Sequence, residues 1–199
     1  MKIRTGTWIA LVVIVIAVAV FGYTFAHAFY LSPADEVSLP DIHATENIPP
    51  SEKPSRIQIP AIGVDANIQD VGIGKTGNMA VPTNYTDVGW YRYGTVPGQV
   101  GSAVIDGHVD NGAGLAAVFK RLGELQRGDD IYILTETGRK LHFKVEEIGH
   151  YSLADVPLQA LFNRKDAPRL NLITCEGTWI PSKKEYDERM IVYSVLVDE

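Results

Sequence analysis

The sequence predicts a mainly β domain, a sandwich or barrel of short strands, held behind an N-terminal membrane segment. Two observations carry the fold class. Short runs in which apolar and polar residues alternate recur from residue 56 to residue 197, separated by Gly, Pro and Asp turn residues. Beyond residue 31, helical spacing is confined to two short places, and no long repeat or heptad run is present, so solenoids and coiled coils drop out.

Taken in order, Lys2 and Arg4 precede Trp8–Ala26, a stretch without a charged residue that matches the length a helix needs to cross a ~30 Å hydrocarbon core. The basic residues ahead of it predict a cytoplasmic N-terminus and an extracytoplasmic remainder. Residues 1–31 therefore read as a cytoplasmic tip and a transmembrane anchor. The competing reading is a cleaved signal peptide ending at Ala26-His27-Ala28, against which the length of the apolar run argues. Residues 32–54 hold Pro33, Pro40, Pro49, Pro50 and Pro54 among acids and small polar residues, the composition of an extended stalk. His43 lies within it as a solvated linker residue, and His27 belongs to the membrane end.

Residues 55–199 form the domain. Strands are predicted at 56–60, 64–68, 101–105, 131–135, 140–148, 169–174 and 190–197. Helical spacing appears at Leu115, Val118, Phe119 and Leu122, after the glycines at 112 and 114, and again within 154–162. The chain of 199 residues is 46% hydrophobic and 21% charged, which fits one globular domain plus an apolar segment. A formal net charge of −6, with no basic cluster among aromatics, excludes a general nucleic-acid binder.

Cys175 is the single cysteine, so an internal disulfide is impossible and the thiol is a reactive group, a buried packing residue or an intermolecular partner. It ends the apolar run 170–175. An active thiol needs an imidazole, a guanidinium or a helix N-terminus beside it. His142 lies between Lys140 and Lys144 on the solvated side of its strand, and His150, beside Gly149 and Tyr151, suits a turn or surface role. His108 differs, because it follows the apolar strand 103–106 and Gly107, a glycine expected to let the backbone turn sharply. Its other reading is a polar turn with Asp106 and Asp110. Arg189 heads the last strand on the face of Ile191 and Tyr193, and must either pair with an acid such as Glu176 or Asp110 or point into a polar cleft. The run 183–188 reads as a solvated loop.

The Leu-Ile-Thr-Cys at 172–175, the Gly-His at 107–108 and the Arg at 189 resemble the signature of sortases, and the resemblance extends from about residue 55 to the C-terminus, with the anchor and stalk matching the usual layout ahead of it. It implies a closed or nearly closed sortase-type β-barrel of about eight strands with one or two short helices. His108-Val109-Asp110-Asn111 and the short N-terminal extension look most like class F, with classes D and E as alternatives. Asn171 stands where the family pattern more often has Thr, a departure expected to alter packing and not chemistry. The resemblance implies Cys175 as nucleophile on an LPxTG-like sorting signal, His108 as proton carrier, Arg189 as substrate and oxyanion contact, and an amine acceptor such as a peptidoglycan precursor. Thr174, Glu176 and Trp179 are further substrate or oxyanion contacts, Thr174 having an equally credible structural role. Attack on a peptide carbonyl independently asks for a thiolate, a proton donor and an oxyanion donor.

Asp106, Asp110 and Glu176 match no metal-binding loop spacing, so neither metal nor cofactor is expected. The aromatic group Trp90-Tyr91-Arg92-Tyr93 reads as core and rim packing, or as a substrate wall. Met79 reads as gap-filling core. A papain-like peptidase would place its cysteine early and at a helix start, and the Ser-His-Gly-Cys of cysteine L,D-transpeptidases is absent. The alternatives are a membrane-tethered β-domain that binds a partner and merely buries its cysteine, or a sortase-like enzyme acting mainly as a hydrolase or pilin polymerase.

Overall fold

The computed structural model describes residues 5–32, 48–111 and 114–198. Helix α1 (Thr5–Tyr30) contains the span Trp8–Ala26, of mean hydropathy 2.7 and with no part buried against the rest of the chain. It is long and apolar enough to cross a membrane, as a lipid-facing anchor requires. Lys2, Arg4 and His43, with most of the predicted stalk, lie outside the described residues. At the stalk's end Pro49 O accepts from Glu52 N–H at 2.8 Å in a turn, and Pro54 already belongs to the first strand.

Eight strands close into a barrel: β1 (Pro54–Ile59), β2 (Val64–Val71), β3 (Val88–Tyr91), β4 (Gly101–Asp106), β5 (Asp130–Thr135), β6 (Lys140–Ser152), β7 (Pro168–Ile180) and β8 (Glu185–Asp198). Their order around it is β1-β2-β3-β4-β7-β8-β6-β5, and β5 returns to β1. Neighbours run antiparallel except β2 with β3 and β4 with β7, which are parallel. Alternation sends Ile57, Ile59, Ile131, Ile133, Leu141 and Phe143 into one core with Trp90, Ile105, Leu170 and Leu172. The buried indole of Trp90 donates Nε1–H to Thr95 O at 3.1 Å, so that N–H is not left orphaned inside.

Strands β4 and β7 are covered on both faces. Outside the barrel, Val104, Ile191 and Tyr193 pack with Leu161 of α2 (Leu158–Phe162) and with Tyr91 and Tyr151. This double burial explains why residues 103–105 form a continuous apolar run and not an alternating one.

The structure departs from the sequence reading in four places. Strand β3 was not predicted; at four residues it is too short for period-two alternation to show, and its Trp90 is barrel core. Strand β8 starts at Glu185, so most of the run read as a solvated loop is strand, where half-buried and exposed polar side chains sit on a two-stranded ribbon paired with the end of β7. The spacing at Leu115–Leu122 is not an α-helix. Backbone N–H groups of Ala117, Val118 and Phe119 donate to Val109 O, Tyr85 O and His108 O at 3.0–3.2 Å, leaving only a 3-10 turn at Leu122–Glu124; Gly112 is outside the described residues. Phe119 and Leu122 plug the core from that loop. The piece at 154–162 shrinks to α2, because Pro157 and Asn163 bound it.

Candidate active site

The site lies where β4 ends beside β7. Their parallel ladder runs to Asp106 and Ile173, and two hydrogen bonds extend it: Gly107 N–H to Ile173 O at 3.2 Å, and the Thr174 hydroxyl to Gly107 O at 2.7 Å. His108 and Cys175 are the next residue on each strand. On the other side, Cys175 is the register partner of Arg189 on β8. His108, just past the end of β4, thus stands in one row with Cys175 within β7 and Arg189 within β8.

Gly107 holds its place for a reason other than the expected turn. Its φ is not in the left-handed region, but a Cβ there would stand 2.5 Å from Phe119 Cδ2, so only glycine lets the plug loop pack on the strand that carries His108. The His108 ring is half-buried, 5.0 Å from the Tyr85 ring at an interplanar angle of 57°. Its Nε2 lies 3.2 Å from Pro82 O. A carbonyl only accepts, so Nε2 carries the proton and Nδ1 is the nitrogen able to take one.

The Cys175 thiol is half-buried. Burial pushes it above its ordinary value; the Arg189 charge acts against that shift, while Asp106, Asp110 and Glu185 reinforce it. Arg189 Nη1 donates to Tyr186 O at 2.9 Å and Glu188 O at 2.8 Å. The face it shares with Ile191 and Tyr193 is the outer face of the barrel, under α2, and not the interior. The two acids considered as its ion-pair partners bond elsewhere: Glu176 Oε2 with His150 Nδ1 at 2.7 Å, and Asp110 with the Tyr186 hydroxyl.

The flanking residues fall into different settings. Thr174 is 4% exposed, and its hydroxyl ties β7 to the β4 exit. Glu176 turns its carboxylate to exposed His150. Trp179 is 45% exposed and meets the Tyr186 ring edge-on, with centroids 5.3 Å apart. His142 bonds Asp130 Oδ1 at 2.7 Å, away from the row. Met79 packs in the outer cluster. Among the described residues no group of three or more His, Cys, Asp or Glu is placed to hold a metal ion.

A cavity of about 210 Å³ opens beside the thiol, walled by Cys175, Thr174 and Gly177 of β7, Tyr186 and Met190 of β8, and Val109 and Phe119 of the plug loop. His108 and Arg189 are not among its walls; they stand on the strands either side of Cys175. Tyr186 went unread in the sequence. Its hydroxyl bond to Asp110 joins the β7–β8 hairpin to the loop after β4 and pushes its own phenol up to about 12. The available signal was its period-two spacing from Met190, which places both on the cavity face.

A family model of the sortase domain matches residues 57–197. This chain belongs to the sortase family, whose members are generally cysteine transpeptidases. Among solved structures it is similar to sortase A from Corynebacterium diphtheriae, a lid mutant, with a TM-score of 0.58 and 24% identity over 73% of this chain and 70% of that one. It is also similar to sortase C-1 from Actinomyces oris, with a TM-score of 0.55 and 23% identity over 77% of each chain. The sortase D5 transpeptidase of Clostridium perfringens gives a TM-score of 0.52 and 24% identity over 73% of this chain and 79% of that one. At these identities the likeness concerns the fold. Comparison with curated proteins finds no match.

Proposed function

We propose that this chain is a membrane-anchored cysteine transpeptidase that cleaves an LPxTG-like sorting signal between Thr and Gly and transfers the new carboxyl end to an amine. The observation that carries the reading is the row of His108, Cys175 and Arg189 across β4, β7 and β8. The Cys175 thiolate attacks the Thr carbonyl carbon, and the guanidinium of Arg189 stabilises the oxyanion that forms. The C–N bond to glycine then breaks as the His108 imidazolium gives its proton to the departing amine, leaving a thioester on Cys175. An incoming amine attacks the thioester, His108 takes its proton, and the thiolate leaves. No net oxidation or reduction occurs.

The division of labour follows the chain. Residues 1–31 anchor it with a cytoplasmic N-terminus, 32–54 act as the stalk, and 55–199 are the extracytoplasmic catalytic domain, the orientation resting on Lys2 and Arg4. Surface proteins with sorting signals are the donors, and an amine such as that of a peptidoglycan precursor is the acceptor. Within the family, His108-Val109-Asp110-Asn111 supports class F. Thr174 and Glu176 serve the site by holding its strands, and Trp179 with Tyr186 borders the groove for the substrate.

The test uses the full chain in detergent micelles with an LPxTG peptide and an amine, followed by mass spectrometry. A ligated product and a thioester adduct on Cys175 are expected, and Cys175→Ala should give neither. Silence across several sorting-type peptides, with no adduct on the wild-type thiol, would overturn the reading.

A further inference from the structure

The chain leaves α1 tied to the barrel. Ser32 N–H donates to Thr83 O at 2.9 Å, Tyr85 N–H donates to Tyr30 O at 3.3 Å, and Leu31 forms an antiparallel bridge with Asn84. Residues 30–32 thereby form an isolated β-bridge with the loop ahead of β3. That same loop holds the imidazole, since Pro82 O and the Tyr85 ring are the contacts of His108 described above. Inside the loop, Asn84 Nδ2 donates to Asp87 Oδ2 and Asp87 N–H donates to Asn84 Oδ1, both at 2.7 Å. Tyr85 O accepts from Val118 N–H at 3.0 Å. One edge of the loop therefore rests on the proton carrier and the other on the exit of the membrane helix.

The geometry points to residues 30–32 as a positioning segment for His108, so that the membrane anchor helps to set the proton-transfer geometry as well as the location of the enzyme. The inference rests on the reading of His108 as the proton carrier. Its physical basis is that a two-bond bridge covers an otherwise open loop edge and fixes Pro82 and Tyr85. A proton relay needs its imidazole held to within ~0.5 Å, and Pro82 O also fixes which ring nitrogen carries the proton. Tyr30, Leu31 and Ser32 act through backbone atoms and touch no substrate. They are positioning residues.

Ser32→Pro removes the N–H that bonds Thr83 O and leaves the barrel sequence intact. In the full chain reconstituted in lipid nanodiscs, kcat for peptide ligation should fall roughly three- to tenfold at unchanged KM. The His108 imidazole NMR signal, assigned by its loss in His108→Asn, should shift and its titration midpoint should move. The conservative Ser32→Ala keeps the N–H and should regain both. Tyr85→Leu, which removes the ring but keeps the backbone bridge, should displace the same His108 signal. A wild-type His108 titration and kcat in Ser32→Pro would overturn the inference, as would an equal loss in Ser32→Ala. If no peptide turns over on the wild type, the transpeptidase reading fails by itself, and the His108 titration in Ser32→Pro against Ser32→Ala still decides the positioning role.

Discussion

At the scale of single residues, Cys175 sits in opposing fields. Burial and three acids favour the neutral thiol, and Arg189 favours the thiolate. The sign of each effect can be read from alkylation, because Cys175 is the single cysteine and only the thiolate reacts. The wild-type rate should reach half its plateau above the ordinary thiol value of ~8.5. Arg189→Ala removes the lowering charge, so its midpoint should lie higher and its rate at pH 8 should be slower. Asp110→Asn removes a raising charge while its amide oxygen still accepts from Tyr186, so its midpoint should lie lower. Shifts of the same sign in both variants would contradict this account. In ligation assays Arg189→Ala should also lose roughly a hundredfold or more in kcat, the scale of a missing oxyanion donor.

At the scale of elements, Asn171 shows how a departure from the family pattern is absorbed. Its side chain is fully buried on the outer face of β7 and donates Nδ2–H to Leu161 O at 2.6 Å and Ala160 O at 3.4 Å, satisfying carbonyls at the end of α2. Asn171→Ala should cost about 1–3 kcal/mol in denaturant unfolding while leaving the Cys175 alkylation midpoint where it was. The β7–β8 hairpin makes a different case. Tyr186→Phe cuts its bond to Asp110, and amide exchange in residues 176–186 should quicken about tenfold, with a higher KM for peptide; unchanged exchange would mean that the hydroxyl does not hold the hairpin. Cys175, His108 and Arg189 were legible as candidates in the sequence because each ends or heads an apolar run. Tyr186, Pro82 and Tyr85 were not, because their meaning depends on partners far off in the chain, 76 positions for Tyr186 and 26 for Pro82, and neither polarity nor periodicity encodes such a meeting.

At the scale of the whole molecule, strand alternation made a closed β-rich fold readable wherever one face met the core and the other met solvent. It failed where that contrast vanished: in short β3, in the half-exposed ribbon that begins β8, and in the plug loop whose apolar spacing serves the barrel mouth and not a helix. Barrel closure also dictates a sequence of events. The parallel ladder that sets His108 beside Cys175 joins residues 67 positions apart, with β5, β6 and α2 lying between them in the chain. Such non-local pairing forms late, after the local hairpins. On refolding from urea, ligation activity should therefore return no sooner than the fluorescence change of buried Trp90, in a variant with Trp8 and Trp179 replaced by Phe. Activity ahead of that signal would show that the row assembles without the barrel. It follows that in the unfolded chain Cys175 is an ordinary solvated thiol with no imidazole or guanidinium held beside it, and that closing the barrel both suppresses its indiscriminate reactivity and supplies the neighbours that could direct it.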